Sequence, residues 1–188
     1  MKKLVVLIAV GMLLLFAMAC CTEYGYCNQE VAAKQNAIKL GVFRPQEGAI
    51  RDFNGSSWFM AAYERVITTM PEGADLTLEI GYTQRSNILG GTARVIPATL
   101  NYRQYIGRSG AAERERATTG EAYVGAGLGA YFQRFTVPVT RSDTKFGANI
   151  FVGYSANEWL VELKYHYIPQ KTEDHHTGGF ALMAGYKF

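Results

Sequence analysis

Cysteine and histidine are scarce in this sequence. It has 3 cysteines among 188 residues, and Cys20, Cys21 and Cys27 all precede the body of the chain. The body therefore has no disulfide framework, although Cys27 could pair with Cys20 or Cys21 in an oxidising compartment. Histidine also numbers 3, so few side chains are available as a catalytic base near neutral pH or as a metal ligand.

Strong charge of either sign is lacking as well. The formal net charge is +3 at pH 7, and it falls further if the N-terminal Lys2 and Lys3 are removed. A protein that binds nucleic acid usually has a basic field that attracts the phosphates. A charge this small does not provide such a field, so we expect no nucleic-acid partner.

Long apolar runs are lacking except at the N-terminus. Leu4–Met18 is almost entirely apolar, follows two lysines, and is followed by Ala19, with a second small residue at Ala17. A basic start, an apolar stretch and small residues before the cleavage point are typical of a secretory signal peptide. The run is shorter than the ~20 residues that cross a bilayer as a helix. We therefore expect a cleaved signal peptide at 1–19 and an N-terminal periplasmic segment at 20–36.

The residue after this cleavage point has an alternative fate. Cys20 follows a small residue, which is where a lipoprotein signal is cut and the cysteine thiol acylated. Ala17 stands where that motif usually has leucine. Lipidation of Cys20 is therefore an alternative to ordinary cleavage.

From residue 37 onward, apolar residues alternate with other types. In Asp75–Arg85, for example, Leu76, Leu78 and Ile80 share one face, because successive strand residues point to opposite sides. Eight segments have this period: Ala37–Phe43, Ser57–Ile67, Asp75–Arg85, Arg94–Gln104, Tyr123–Gln133, Lys145–Ser155, Trp159–Tyr167 and Gly178–Phe188. Pro97 lacks an N–H for the strand ladder and predicts a bulge or bend in the fourth segment.

The two faces of these segments differ in a way that favours a membrane barrel. One face is apolar, with aromatic residues near the strand ends: Trp58, Tyr82, Tyr102, Tyr154, Trp159, Tyr165, Tyr167 and Tyr186. The other face combines glycine with charged residues, which suits the narrow lumen of an eight-stranded barrel better than a solvated surface. The sequence therefore predicts an all-β fold, an eight-stranded antiparallel up-and-down transmembrane β-barrel at 37–188. A soluble periplasmic β-barrel that binds a ligand is the alternative.

The second face supplies the candidate functional residues. We expect its polar side chains to pair across the lumen in a polar network: Lys39, Glu64, Glu79, Asn101, Arg103, Asn149, Glu162, Lys164 and His166. Gly125, Gly127 and Gly129 alternate along one strand and read as spacers rather than as a phosphate-binding loop, because no strand-to-helix context follows them.

The sequence contains no clear catalytic, cofactor or metal motif. His175 and His176 lie beside Glu173 and Asp174, but no third ligand has fixed spacing, so we expect a solvated loop, with no metal and no cofactor. A barrel enzyme that modifies lipid A, the alternative in this class, would need a serine, a histidine and an acidic residue together at the outer rim. No histidine has a nearby serine on one strand, so we expect no enzyme.

The C-terminal segment carries a family resemblance. The chain ends on Phe188, and Phe180, Leu182 and Tyr186 precede it on the same face. This pattern resembles the terminal strand that assembly machinery recognises in bacterial outer-membrane barrels. Together with Tyr123–Gly129, Gly153–Tyr154 and Ala184–Phe188, it resembles the OmpA-type transmembrane domain and OmpW-like barrels.

The resemblance implies a location in the cell outer membrane, contact with its lipids and assembly machinery, and a monomer. The implied role is structural, ligand-contacting or porin-like passage of small solutes. The parity of eight strands places four connections outside the cell: Arg44–Gly55, Asn87–Gly90, Phe135–Thr144 and Ile168–Gly178. The longest connection, Tyr105–Gly120, is expected on the periplasmic side.

Overall fold

The computed structural model describes residues 35–46, 56–70, 73–86, 91–106, 120–136, 140–169 and 178–188. The expected signal peptide at 1–19 and nearly all of the segment at 20–36 lie outside these residues. The same is true of Cys20, the other two cysteines, and the histidine pair at positions 175 and 176. Among the residues described, no helix is long and apolar enough to cross a membrane.

All described regular structure is β-strand. The strands are β1 (Asn36–Pro45), β2 (Trp58–Met70), β3 (Ala74–Ser86), β4 (Thr92–Tyr105), β5 (Glu121–Phe135), β6 (Arg141–Ala156), β7 (Trp159–Tyr167) and β8 (Gly179–Lys187). Each pairs with its neighbours in sequence, and β8 pairs with β1, so the sheet closes into a barrel. All pairings are antiparallel. The predicted eight-stranded up-and-down barrel is confirmed.

The sequence predicts a bulge or a bend at Pro97, and of these the bulge is wrong, whereas the bend stays a prediction. The pairing of β3 with β4 is interrupted between Ile80–Ala98 and Thr83–Val95, but the register is the same on both sides. Gly81 faces the gap, and a Cβ there would lie 2.8 Å from the Pro97 ring. The β3–β4 ladder therefore accommodates Pro97 by losing residue pairs, and its register does not shift. The register shift occurs elsewhere, between Val66 and Thr68 of β2.

The barrel has two ends, which we name by what they carry. The terminal end has Asn36 and Phe188, whose backbone N–H groups each donate to the other's carbonyl at 3.1 and 2.9 Å. It also has the β2–β3, β4–β5 and β6–β7 connections. The loop end has the β1–β2, β3–β4, β5–β6 and β7–β8 connections. This grouping matches the expected division of the connections into two sets.

The outer face of the barrel wall is apolar. Leu128, Phe146 and Ile150 are 71%, 64% and 61% exposed, and they belong to a larger set of exposed hydrophobic side chains from all eight strands. Exposure of this much contiguous apolar surface is unusual for a protein in water. The inner face is buried, so the faces are assigned as the alternation predicts.

One residue of the expected aromatic girdle is on the wrong side. Trp58 was expected on the outer face, yet it is only 1% exposed and packs in the lumen beside Phe43, with ring centroids 5.8 Å apart. Its neighbour Phe59 is 57% exposed on the outside. Because residues two apart share a face, Trp58 must lie on the same side as Glu64, and the prediction ignored this parity.

Candidate functional site: the barrel lumen

Six charged side chains meet in the middle of the lumen, and we call them the ion network: Lys39, Glu64, Glu79, Arg103, Glu162 and Lys164. They come from five strands, β1, β2, β3, β4 and β7, with two from β7. All are at most 2% exposed. Three are cations and three are anions, so the network is neutral. This balance matters because an unpaired buried charge is far more costly than a paired one.

Lys39 is the centre of the network. Its Nζ lies 2.8 Å from Glu64 Oε2, 2.7 Å from Glu79 Oε2 and 3.0 Å from Glu162 Oε1. An ammonium group has three donors, and here each meets a different carboxylate. One lysine thus links three strands of the wall to its own.

The other two cations complete the pairing. Lys164 Nζ lies 2.6 Å from Glu79 Oε1 and 3.1 Å from Glu162 Oε1. Arg103 Nη2 donates to both Glu64 oxygens, at 2.6 and 2.7 Å. Every carboxylate therefore contacts two cations or more, with Arg103 also 3.6 Å from Glu162. Hydrogen bonds to charged groups are among the stronger ones in proteins.

Aromatic side chains cover the network on the side of β5 and β6. The Arg103 guanidinium carbon lies 4.5 Å from the centre of the Tyr123 ring, and Lys164 Nζ lies 4.8 Å from that of Phe151. The Tyr123 hydroxyl donates to Glu162 Oε2 at 3.1 Å. Cations over ring faces are attracted by the ring quadrupole, so the aromatic cover is part of the electrostatic arrangement.

Glycines make room for this cover. A Cβ at Gly125 would overlap the Phe151 ring, and one at Gly153 would overlap the Tyr123 ring. The lumen of an eight-stranded barrel is only wide enough to be filled by side chains. A large ring on one strand therefore needs a missing side chain on the neighbouring strand, which is the spacer role predicted for Gly125.

The three uncharged members of the predicted polar network lie apart from the ions. Asn149 Nδ2 donates to Asn101 Oδ1 at 3.0 Å. His166 Nδ1 is within hydrogen-bond distance, 3.1 Å, of the Tyr131 hydroxyl, and its ring stacks edge-on against Phe43 and Tyr131. All nine predicted residues face the lumen, but they form one ion network, one amide pair and one histidine–tyrosine contact.

Part of the hydrogen-bonding capacity of the lumen is not used by protein groups. Within the described residues, six buried side-chain atoms have no hydrogen-bond partner: Thr77 Oγ1, Thr99 Oγ1, Asn101 Nδ2, Arg103 Nε, Asn149 Oδ1 and His166 Nε2. Four of them belong to one row of directly paired positions that runs from β3 to β7. A cavity of ≈ 10 Å³ lies next to His166, but most of its lining is apolar, with Phe43, Met60, Val95 and Ile168 among its residues.

Between these polar groups and the loop end, the lumen is filled by an apolar plug. It consists of Phe43, Trp58, Met60, Ala62, Ala93, Val95, Tyr131, Ile168, Ala181 and Met183. None of them is more than 6% exposed. The plug was not predicted, because apolar residues on both faces of β2 and β4 hide the alternation there. Alternate positions counted from Glu64 in β2 include Trp58 and Met60, and those counted from Arg103 in β4 include Ala93 and Val95. This count assigns them to the lumen and could have predicted the plug.

The barrel is similar to solved outer-membrane proteins. The crystal structure of neisserial surface protein A matches with a TM-score of 0.54 at 13% identity, over 81% of this chain and 94% of that chain. Ail of Yersinia pestis in a bilayer nanodisc matches at 0.48 and 17% identity, over 82% and 99%. The outer-membrane enzyme PagL matches at 0.45 and 14% identity, over 81% and 98%.

At these identities the similarity shows the fold alone. The chain has the fold of the small eight-stranded outer-membrane β-barrels, as the sequence predicted. Neither a protein-family model nor a curated protein matches the chain. The finer resemblance to OmpA-type and OmpW-like barrels stays a prediction.

Proposed function

We propose that this protein is a monomeric outer-membrane barrel whose lumen is closed and whose role is structural or ligand-contacting. The observation that carries the proposal is the filled lumen. The ion network and the apolar plug follow one another along the barrel axis, and both consist of side chains that are almost completely buried. Of the roles expected from the sequence, passage of small solutes therefore has the least support.

Two different barriers oppose passage. A polar solute would have to lose much of its hydration in the plug, where hydrophobic side chains fill most of the lumen and the buried polar groups at the same level are those of Lys145, Gln133 and Thr83. An apolar solute would have to separate ion pairs as close as 2.6 Å, which are costly to break when buried. No single class of solute suits both regions.

The apolar outer face supports insertion in a membrane. Its exposed residues include Leu128, Ile150 and Leu163 near the strand centres, while Trp159 and Tyr186 stack edge-on at the terminal end with centroids 5.2 Å apart. Aromatic side chains near the ends of an apolar belt are typical of transmembrane barrels. A soluble barrel that binds a ligand would instead expose polar residues outside.

The rival enzymatic role has little support from the lumen. His166 is 2% exposed and contacts Tyr131 and Phe43. A lipid substrate on the outside of the barrel would not reach it, and the other two histidines lie outside the described residues. We therefore keep the proposal that the protein is not an enzyme.

A planar-bilayer recording tests the closed lumen. We expect no discrete conductance steps from the reconstituted protein, with a porin in the same bilayer as the positive control. Reproducible steps would overturn the closed-lumen proposal.

A labelling experiment tests the membrane location in the same preparation. Single cysteines replace Leu128, Ile150 or, as the inward control, Ala181, in a chain whose three native cysteines are changed to serine. We expect a lipid-phase quencher to act on labels at 128 and 150 and to spare position 181. Equal protection of all three would indicate a soluble β-domain and overturn the membrane proposal.

The assembly role of the C-terminal strand is part of the proposal. Phe180, Leu182, Tyr186 and Phe188 all face outward and are 40–52% exposed, so assembly machinery could contact them on an unfinished edge. We expect removal of Phe188 to slow insertion, measured as the yield of folded protein in outer membranes over time. Equal rates for the two chains would contradict this role.

A further inference from the structure

Two arginines stand directly opposite each other on the outer face at the loop end. Arg94 of β4 and Arg134 of β5 are partners in the antiparallel ladder. Both are on the face that carries the apolar belt, since the adjacent Val95 and Gln133 are buried in the lumen. Like charges at directly opposed positions of a ladder are destabilising, and a bound anion would offset that cost.

Arg94 is held in place by neighbours on β3. Its Nε and Nη2 donate to Gln84 Oε1 at 3.2 and 3.1 Å, and its guanidinium carbon lies 5.4 Å from the centre of the Tyr82 ring. Nη1 has no partner among the described residues. The Arg94 guanidinium is therefore fixed in orientation, and its Nη1 group stays available as a donor.

Arg134 has no such support. It is exposed, and within the described part of the chain its side chain forms no hydrogen bond or ion pair. Its partner on the other side is Ser142 of β6. The row across four strands is thus Gln84, Arg94, Arg134 and Ser142, which presents two cations and a hydroxyl and no carboxylate.

The surface next to this row, towards the barrel centre, is apolar. Ile96 and Phe132 are directly paired two residues from the arginines, and Ala98 and Ala130 are paired two residues further. Cations above an apolar surface match an amphiphile that has a phosphate at one end and acyl chains below it. Guanidinium groups bind phosphate through two parallel hydrogen bonds, which an isolated point charge does not provide.

We propose that Arg94 and Arg134 bind the phosphate-bearing headgroup of a membrane lipid, whose acyl chains lie over Ile96 and Phe132. This site rests on the proposed membrane location and adds a specific lipid contact to it. The phosphate neutralises both guanidinium groups, and this removes the repulsion between them.

The test uses a tryptophan reporter at the site. Phe132→Trp is made in a chain with Trp159→Phe, so that the remaining Trp58 is shielded in the lumen. The protein is reconstituted in phosphatidylcholine vesicles that contain a minor fraction of lipid brominated near the glycerol end of its chains. The brominated lipid is either phosphatidic acid or, as the reference, phosphatidylcholine.

We expect brominated phosphatidic acid to quench the reporter more strongly than brominated phosphatidylcholine at the same mole fraction. The ratio should fall to one in Arg94→Gln/Arg134→Gln and stay unchanged in Arg44→Gln, which removes an exposed cation on β1. Equal quenching by the two lipids, or an unchanged ratio in the double variant, would overturn the headgroup site. Loss of the difference in millimolar inorganic phosphate would reassign the site to free phosphate.

Failure of the membrane proposal gives a different result. If the barrel is not inserted, neither brominated lipid quenches the reporter. Quenching by both lipids to the same degree instead leaves the membrane location intact and removes only the headgroup site.

Discussion

The ion network and the apolar plug close the same lumen by different physical means. In the plug, Met60, Phe43 and Trp58 are held by shape and by exclusion of water, so what matters is the volume that each side chain fills. In the network, Lys39 and its three carboxylates are held by charge balance and hydrogen bonds. A substitution that keeps the side-chain volume should therefore be tolerated in the plug but not in the ion network.

The largest effect is expected where charge is removed and shape is kept. Lys39→Met has nearly the same volume as the native residue, but it leaves three buried carboxylates facing two cations. We expect a loss of about 3–5 kcal/mol in the free energy of unfolding, because one partner of a buried ion pair is removed. Denaturant titration of the barrel in lipid vesicles measures it.

Two further variants separate charge from shape in this prediction. Arg44→Met removes an exposed cation from the same strand, and we expect a change within about 0.5 kcal/mol. Lys39→Met combined with Glu162→Gln restores neutrality, so the double variant should lose less stability than the sum of the two single variants. Additive losses would mean that charge balance does not govern the network.

A smaller effect is expected in the plug, where volume decides. Met60→Ala should lose about 2–5 kcal/mol because it leaves a cavity among packed side chains. Met60→Leu keeps most of the volume and should lose less than about 1.5 kcal/mol. The same titration compares them, and a leucine variant as unstable as the alanine variant would contradict a plug held by volume.

The two regions also differ in how well the sequence predicted them. The network was found because Glu64, Glu79 and Glu162 interrupt apolar alternation, and strand parity then assigns them all to one face. The plug was missed because Trp58 and Met60 alternate with Phe59 and Ala61, so both faces of β2 are apolar. Within β2, only the parity counted from Glu64 shows that Phe59, and not Trp58, faces outward.

The contacts between lumen side chains also could not be predicted from the pattern of any single strand. Lys39 meets Glu79 only because β1, β2 and β3 adopt one particular register, in which Glu64 and Glu79 are opposed. Register in a closed barrel depends on all strands together. A sequence read strand by strand therefore predicts which residues face inward, but not which of them meet.

The smallest effects are expected when a tyrosine is replaced by phenylalanine, once in the ion network and once at the plug. Tyr123 and Tyr131 lie on the same face of β5, and tyrosine to phenylalanine removes only a hydroxyl from each. The Tyr123 hydroxyl donates to the charged Glu162 at 3.1 Å, so Tyr123→Phe should lose about 1.5–3 kcal/mol. The Tyr131 hydroxyl meets neutral partners, His166 Nδ1 at 3.1 Å and the Ala148 carbonyl at 3.3 Å. Tyr131→Phe should therefore lose only about 0.5–1.5 kcal/mol.

The two variants differ in little else, because strand, residue type and deleted atom are the same. What differs is the neighbour of the hydroxyl, an anion in the network and neutral groups at the edge of the plug. Unfolding titrations of both variants under one set of conditions give the difference directly. If Tyr131→Phe were the more damaging, the boundary at His166 would be held by polar contacts more than by packing, and this would contradict a plug held by volume.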